Sequence, residues 1–280
     1  MKKKLIAIAV ATASVTSGVA NAESSWEVAS TGGVIDIGGT ITVDNKYDDL
    51  WQWTLGDAIE LTNTDEDMNA EKDSLTITMD KRTPLLVGKS DAFQASGAGI
   101  GASPSISFSG ADGVEVKLQN AETPQRGRAV LELPIKGGES NSVIGTLTLN
   151  VTTAGVMYKQ STEPQYGGPH PMVAPNAGDI FHGGLPASIG GLSGSTAVNM
   201  IAQDGGLTIS EMMHKWNQFT NQEKSWIQVA HPYSSKGTVA AVYGYSLAID
   251  QGQTLKADFN SPLTSTTKWS APLTISIAYN

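Results

Sequence analysis

The sequence predicts a mainly β protein, an antiparallel sandwich, and three observations lead there. Apolar and β-branched residues alternate with polar ones in short runs along the chain. Clusters of Gly, Asn, Asp and Pro separate those runs, as tight turns between strands require. With 30 glycines and 6% aromatic residues, the composition suits strands and turns better than a helical bundle. At 280 residues and 40% apolar content the chain can bury a sizeable core without staples, and it contains no cysteine. Thiolate catalysis, thiolate-ligated zinc and a disulfide framework are thereby excluded.

The first 22 residues read as a secretory signal. Lys2, Lys3 and Lys4 supply the positive start, Leu5 to Ala13 the apolar stretch, and Ala20-Asn21-Ala22 the small residues of a cleavage site. The apolar run is too short for a membrane anchor. Cleavage after Ala22 leaves 15 basic against 27 acidic residues, a net charge of −12. Nucleic acid is a poor partner for such a chain, because phosphate binding needs a surplus of Lys and Arg.

Residues 23–38 form a polar, Gly-bearing extension that passes into alternation. Ile35, Ile37, Ile41 and Val43 share one parity. Strands are then predicted at Leu75–Met79, Ile106–Phe108, Val114–Leu118, Val130–Leu133, Ile144–Val151, Val239–Ile249 and Leu273–Tyr279. The body, 39–280, is interrupted at about 159–235 by an insert. That insert opens with a Pro/Gly-rich segment, Pro164 to Pro175, and continues through Gly183-Gly184 and Gly190-Gly191 into helix-period sequence. Thr208 with Glu211, and Thr220 with Glu223, have capping-box spacing. They start two expected helices, at about Ile209–Phe219 and Asn221–Val229, which should turn Met212, Met213, Trp216, Trp226 and Ile227 inward.

No catalytic constellation emerges. His170, His182, His214 and His231 have no metal-ligand spacing. Asp65, Asp67, Asn69 and Glu71 hint at a calcium loop, but Ala70 stands where that loop needs glycine and Thr76 where it needs glutamate. A solvated acidic loop is the simpler reading. Gly97-x-Gly99-x-Gly101 lacks the spacing of a dinucleotide fingerprint, and Arg126-Gly127-Arg128 reads as a turn. The chain is therefore expected to be no enzyme and to carry no cofactor and no metal.

The chain ends are more informative. Leu273, Ile275, Ile277 and Tyr279 alternate to within one residue of the terminus. A sandwich ending there without a closing strand would expose an apolar edge. Ala29, Thr31, Gly33, Ile35 and Ile37 share parity near the other end. Two readings follow: the N-terminal strand of one molecule completes the sheet of the next, or a linker precedes an ordinary last strand.

Several longer strings bear on that choice: Ile35-Asp36-Ile37-Gly38-Gly39-Thr40-Ile41-Thr42, Trp51-Gln52-Trp53, Ile180-Phe181-His182-Gly183-Gly184-Leu185, Gly252-Gln253-Thr254-Leu255 and Trp269-Ser270-Ala271-Pro272-Leu273. Their order and spacing resemble the chaperone–usher fimbrial subunits related to the adhesive major subunit of K88 (F4) fimbriae, over nearly the whole mature chain. The resemblance is weakest at 57–73 and 159–179. It implies an incomplete immunoglobulin-like sandwich, completed by donor-strand exchange, with an inserted helical subdomain. In that scheme Ala29, Thr31, Gly33, Ile35 and Ile37 form the donor strand. Leu273, Ile275, Ile277 and Tyr279 form the groove strand on which a periplasmic chaperone docks before an outer-membrane usher hands the subunit on. The implied function is a fibre of copies of this chain, exported through the periplasm to the cell surface, that adheres to host-cell glycoconjugates. Carbohydrate contacts are expected in the irregular region Tyr166 to Ile189, at Tyr166, His170 and His182, since an aromatic face and polar ring nitrogens suit a sugar. The alternatives are a non-adhesive shaft or minor subunit of the same fimbria and, remotely, a secreted hydrolase.

Overall fold

The structure is a computed structural model that describes residues 33–35, 50–94, 103–120, 126–137, 142–160, 167–186, 190–222 and 240–279. The chain opens with β1 (Gly33–Ile35), β2 (Trp51–Leu55), β3 (Ile59–Leu61), β4 (Ser74–Thr78), β5 (Thr83–Ser90) and β6 (Phe93–Gln94). There follow β7 (Pro104–Ser109), β8 (Glu115–Val116), β9 (Gln119–Asn120), β10 (Arg128–Gly137), β11 (Ser142–Lys159) and β12 (Gly168–Pro171). Two helices, α1 (Gly194–Gln203) and α2 (Ile209–Gln222), precede β13 (Ala240–Ile249), β14 (Thr254–Phe259), β15 (Trp269–Ser270) and β16 (Thr274–Tyr279). Among the described residues the architecture is mainly β with two α-helices.

A large antiparallel sheet runs in the order β15-β10-β11-β13-β5-β2 and, among the described residues, does not close on itself. A three-stranded sheet, β16-β7-β8, supplies the opposing layer. Ile106, Phe108, Ile275 and Ile277 from the small sheet share one core with Leu131, Leu133, Leu147, Leu149, Tyr245 and Leu247 from the large one. Period-two sequence produces this arrangement directly, since each strand turns its apolar parity toward the other layer.

β11 is the spine. Its first half pairs with β10 and β14, its second half with β13 and β12. The alternation of residues 143–150 gives way to continuous burial from Val151 to Lys159. Both faces are covered there: Val151 and Met157 join the main core, while Ala154, Val156 and Tyr158 pack under the helices. A strand buried on both faces reads as an apolar run rather than an alternating one. The ammonium of Lys159, at the end of this run, is held below the usual lysine range by desolvation.

The segment from β12 to α2 lies between two strands, β11 and β13, that pair with each other. α2 begins where the capping box placed it: Thr208 N–H donates to Glu211 Oε2 at 2.8 Å, and Glu211 N–H to Thr208 Oγ1 at 3.3 Å. Met212 and Trp216 are buried, but Met213 is 43% exposed, contrary to the expectation that it turns inward. α1 occupies part of the sheet face, so α2 contributes only the narrow i, i+4 stripe of Met212 and Trp216 to the shared cluster. The sequence reading missed α1 altogether. Ser193 caps it by accepting from Thr196 N–H at 3.1 Å, and Ala197, Val198 and Ile201 are its buried stripe. Of the second expected helix, residues 223–229, with Trp226 and Ile227, lie outside the described residues. The strand expected at Val114–Leu118 shrinks to β8, because positive φ at Asp112 and Gly113 bends the chain and leaves Val114 exposed.

Candidate functional site: the C-terminal edge and the inserted helices

β16 pairs antiparallel with β7, from Thr274 opposite Ser109 to Tyr279 opposite Pro104. Among the described residues no strand pairs with its other edge. Leu273, Ile275 and Ile277 are buried and Tyr279 is half-buried, so the predicted parity holds along the whole strand. Tyr279 also accepts a hydrogen bond at 2.9 Å from Trp53 Nε1, which ties β16 to β2, the last strand of the large sheet. The two layers therefore approach each other at a margin where each has an edge strand.

Gly33, Val34 and Ile35 pair antiparallel with Leu61, Glu60 and Ile59 of β3, and β1 lies beside β15, just upstream of β16. Of the five expected donor-strand residues, Gly33 and Ile35 belong to β1, while Ala29, Thr31 and Ile37 lie outside the described residues.

The expected sugar contacts fall on different elements. His170 sits on β12 opposite Met157, in the stretch of backbone over which α1 begins. A Cβ on Gly194, the first residue of α1, would stand 1.9 Å from the Pro169 carbonyl oxygen, so only glycine permits this approach. His182 lies on a turn that continues the small sheet: its carbonyl accepts from Ile106 N–H at 2.8 Å. The His182 ring sets Nδ1 3.1 Å from the Ala174 carbonyl, which fixes the loop in front of it. Tyr166 lies outside the described residues. Below this turn the Gly184 carbonyl accepts from both Thr153 Oγ1 at 2.9 Å and Tyr245 Oη at 2.7 Å. Burial pushes the Tyr245 phenol well above its ordinary range, so it stays a donor.

Sequence reasoning overlooked the ionic clamp that holds α1 down. Arg82, just ahead of β5, donates through Nε and Nη2 to the two oxygens of Asp204, at 2.7 and 2.6 Å. It also pairs with Asp250 beyond β13. Asp204 is the C-cap residue of α1, and its side chain is fully buried. Ser246 donates to Asp204, and Thr152 Oγ1 to Asp250 at 2.7 Å. The pairing joins residues 122 and 168 positions apart. The one legible signal was the scarcity of arginine.

Among the described residues, β1 is a paired strand near one end of the chain and β16 an edge strand at the other. The family of K88-type fimbrial major and minor subunits matches residues 1–280. The chain belongs to this family of fimbrial subunits. It is 34% identical to K88 fimbrial protein AB and 34% identical to K88 fimbrial protein AC, both of Escherichia coli, with each chain covered in full. The F41 fimbrial protein of Escherichia coli is 23% identical, again over the full length of both. A fimbrial subunit is a structural, non-enzymatic protein that assembles with other fimbrial subunits in a cell-surface fibre.

Proposed function

We propose that this subunit polymerises by donor-strand complementation and that its fibre adheres to host-cell glycoconjugates. The fold is then an immunoglobulin-like sandwich lacking one strand. Residues 23–38 of one copy, with Ala29, Thr31, Gly33, Ile35 and Ile37 on one face, supply that strand alongside β16 of the next. A periplasmic chaperone covers Leu273, Ile275, Ile277 and Tyr279 until an outer-membrane usher exchanges it for the neighbouring subunit. The adhesive surface lies on the insert at about 159–235, in the region of Tyr166, His170 and His182.

One observation carries the assembly reading. Within a single chain β1 already forms strand pairs with β3 and lies beside β15, the element just ahead of β16 in the chain. A segment able to pair there in its own chain has the backbone geometry to do so in a neighbour. Gly33 tests the register, because overpacking a fitted site costs about 1–3 kcal/mol and would also block insertion. Chaperone-bound Gly33→Phe should fold normally yet fail to form heat-sensitive oligomers when mixed with acceptor subunits. Oligomers appearing at the wild-type rate would show that residues 23–38 are only a linker.

A further inference from the structure

The chain contains three arginines, Arg82, Arg126 and Arg128, and all three line one cavity of about 280 Å³ between α1 and the sheet. The other twelve basic residues left after loss of the signal are lysines, and the chain is strongly acidic. This concentration of guanidinium groups runs against the overall charge.

The charges within the cavity do not cancel. Arg82 is fully engaged by Asp204 and Asp250, and Thr152 takes the other Asp250 oxygen. The local carboxylates are thus committed to Arg82. Arg126 and Arg128 are exposed and make no ion pair or side-chain hydrogen bond among the described residues. Among the described residues, two guanidiniums remain uncompensated at the cavity.

Their backbone is fixed. Gly127 has φ +77°, and a Cβ there would stand 2.0 Å from the Thr153 carbonyl oxygen, so glycine is required. Its own carbonyl accepts from Thr153 N–H at 2.9 Å. Arg126 adopts a left-handed φ of +49° and donates its N–H to the Gly190 carbonyl at 3.0 Å. Arg128 is the first residue of β10, opposite Thr152. Thr196, Asn199 and Gln203 present hydroxyl and amide groups from α1. A pair of planar forks matches an oxyanion bidentately, as ammonium groups do not. The polar helix wall and a volume near the lower end for small-ligand sites suit a single sugar ring.

We propose that this cavity binds the carboxylate or sulfate ester of an acidic saccharide. Arg126 and Arg128 grip the anion, and Thr196, Asn199 and Gln203 meet the sugar hydroxyls. The site uses none of the contacts assigned to adhesion above.

The test uses fibres sheared from cells and titrated calorimetrically with N-acetylneuraminic acid, glucuronic acid, galactose 6-sulfate, galactose and sodium sulfate. Acidic sugars should bind the wild type more tightly than galactose does, and less tightly as salt rises. R126Q/R128Q should weaken them about tenfold or more, with R126K/R128K intermediate and galactose unaffected. N199A/Q203A, which removes two exposed groups and leaves both arginines in place, should weaken the acidic sugars but not sodium sulfate. Fibres of normal appearance by electron microscopy show that assembly is intact, which separates failure here from failure of the assembly reading. Equal affinity for acidic sugars and galactose, or undiminished binding by R126Q/R128Q, overturns the proposal. Sodium sulfate binding as tightly as galactose 6-sulfate overturns the saccharide and reassigns the cavity to a free anion.

Discussion

Arg82→Met removes a charge while keeping much of the side chain's length, and the structure sets the scale of the damage. Arg82 is 16% exposed and Asp204 fully buried, with two hydrogen bonds of 2.7 and 2.6 Å between them. Without the guanidinium, a buried carboxylate keeps, among the described residues, only the Ser246 hydroxyl as a side-chain donor. Breaking a buried pair from one side costs about 3–5 kcal/mol, because the remaining charge is uncompensated. Since whole domains are stable by only about 5–15 kcal/mol, this single change should bring the subunit close to unfolding. Arg82→Met with Asp204→Asn should cost less than Arg82→Met alone, as the orphaned charge is gone. The measurement is urea denaturation of the monomeric subunit at neutral pH, followed by tryptophan fluorescence and analysed as a double-mutant cycle. A loss below about 1 kcal/mol for Arg82→Met would show that water reaches Asp204, and the clamp would lose its role.

Further outcomes follow from the same geometry. Thr208→Ala removes the α2 cap and should cost about 1 kcal/mol in thermal unfolding. Hydrogen bonds from Thr208 hold the Glu211 carboxyl below its usual range, so its contribution is present at neutral pH and lost as pH falls below 4.5 through the depressed value. The wild type and Glu211→Gln should therefore converge in stability under acid; a gap that persists there refutes the linkage. On β16, Ile275→Ala should cost about 2–5 kcal/mol, while Ser276→Ala, on the exposed parity, should stay within about 0.5 kcal/mol. Equal effects by calorimetry would mean the strand is not oriented as described.

What could be read beforehand depended on whether the physics was local. β4, β7, β10, β13 and β16 are each buried with a period or a run that their own residues carry, and each was legible. β5 was not, because Leu85 to Gly88 is buried without a break between β2 and β13 and so presents no alternation. α1 carries a Ser193 cap and an Ala197, Val198, Ile201 stripe, yet its ten residues sit among glycines that obscured them. Helix periodicity turns Met213 inward because it cannot say how wide a stripe the neighbours leave open, and the residue is exposed. The Arg82 clamp and the Arg126–Arg128 cavity join residues distant in sequence, and no spacing rule reaches that far. The parity of Leu273, Ile275, Ile277 and Tyr279 needed only seven residues to be read.

The eighteen-residue β11 makes unfolding cooperative. Because one continuous strand serves the main core along its length and the floor of the helices with the opposite face of its second half, the helical layer shares its support with the main core. Detaching α1 and α2 uncovers Ala154, Val156 and Tyr158, while Met157, on the same stretch, belongs to the main core. Opening of the helical layer is thereby coupled to loss of the whole sheet. Amide protons along Val151–Tyr158 should exchange only through global unfolding, so the molecule answers heat or stretching as one unit rather than shedding its outer layer first.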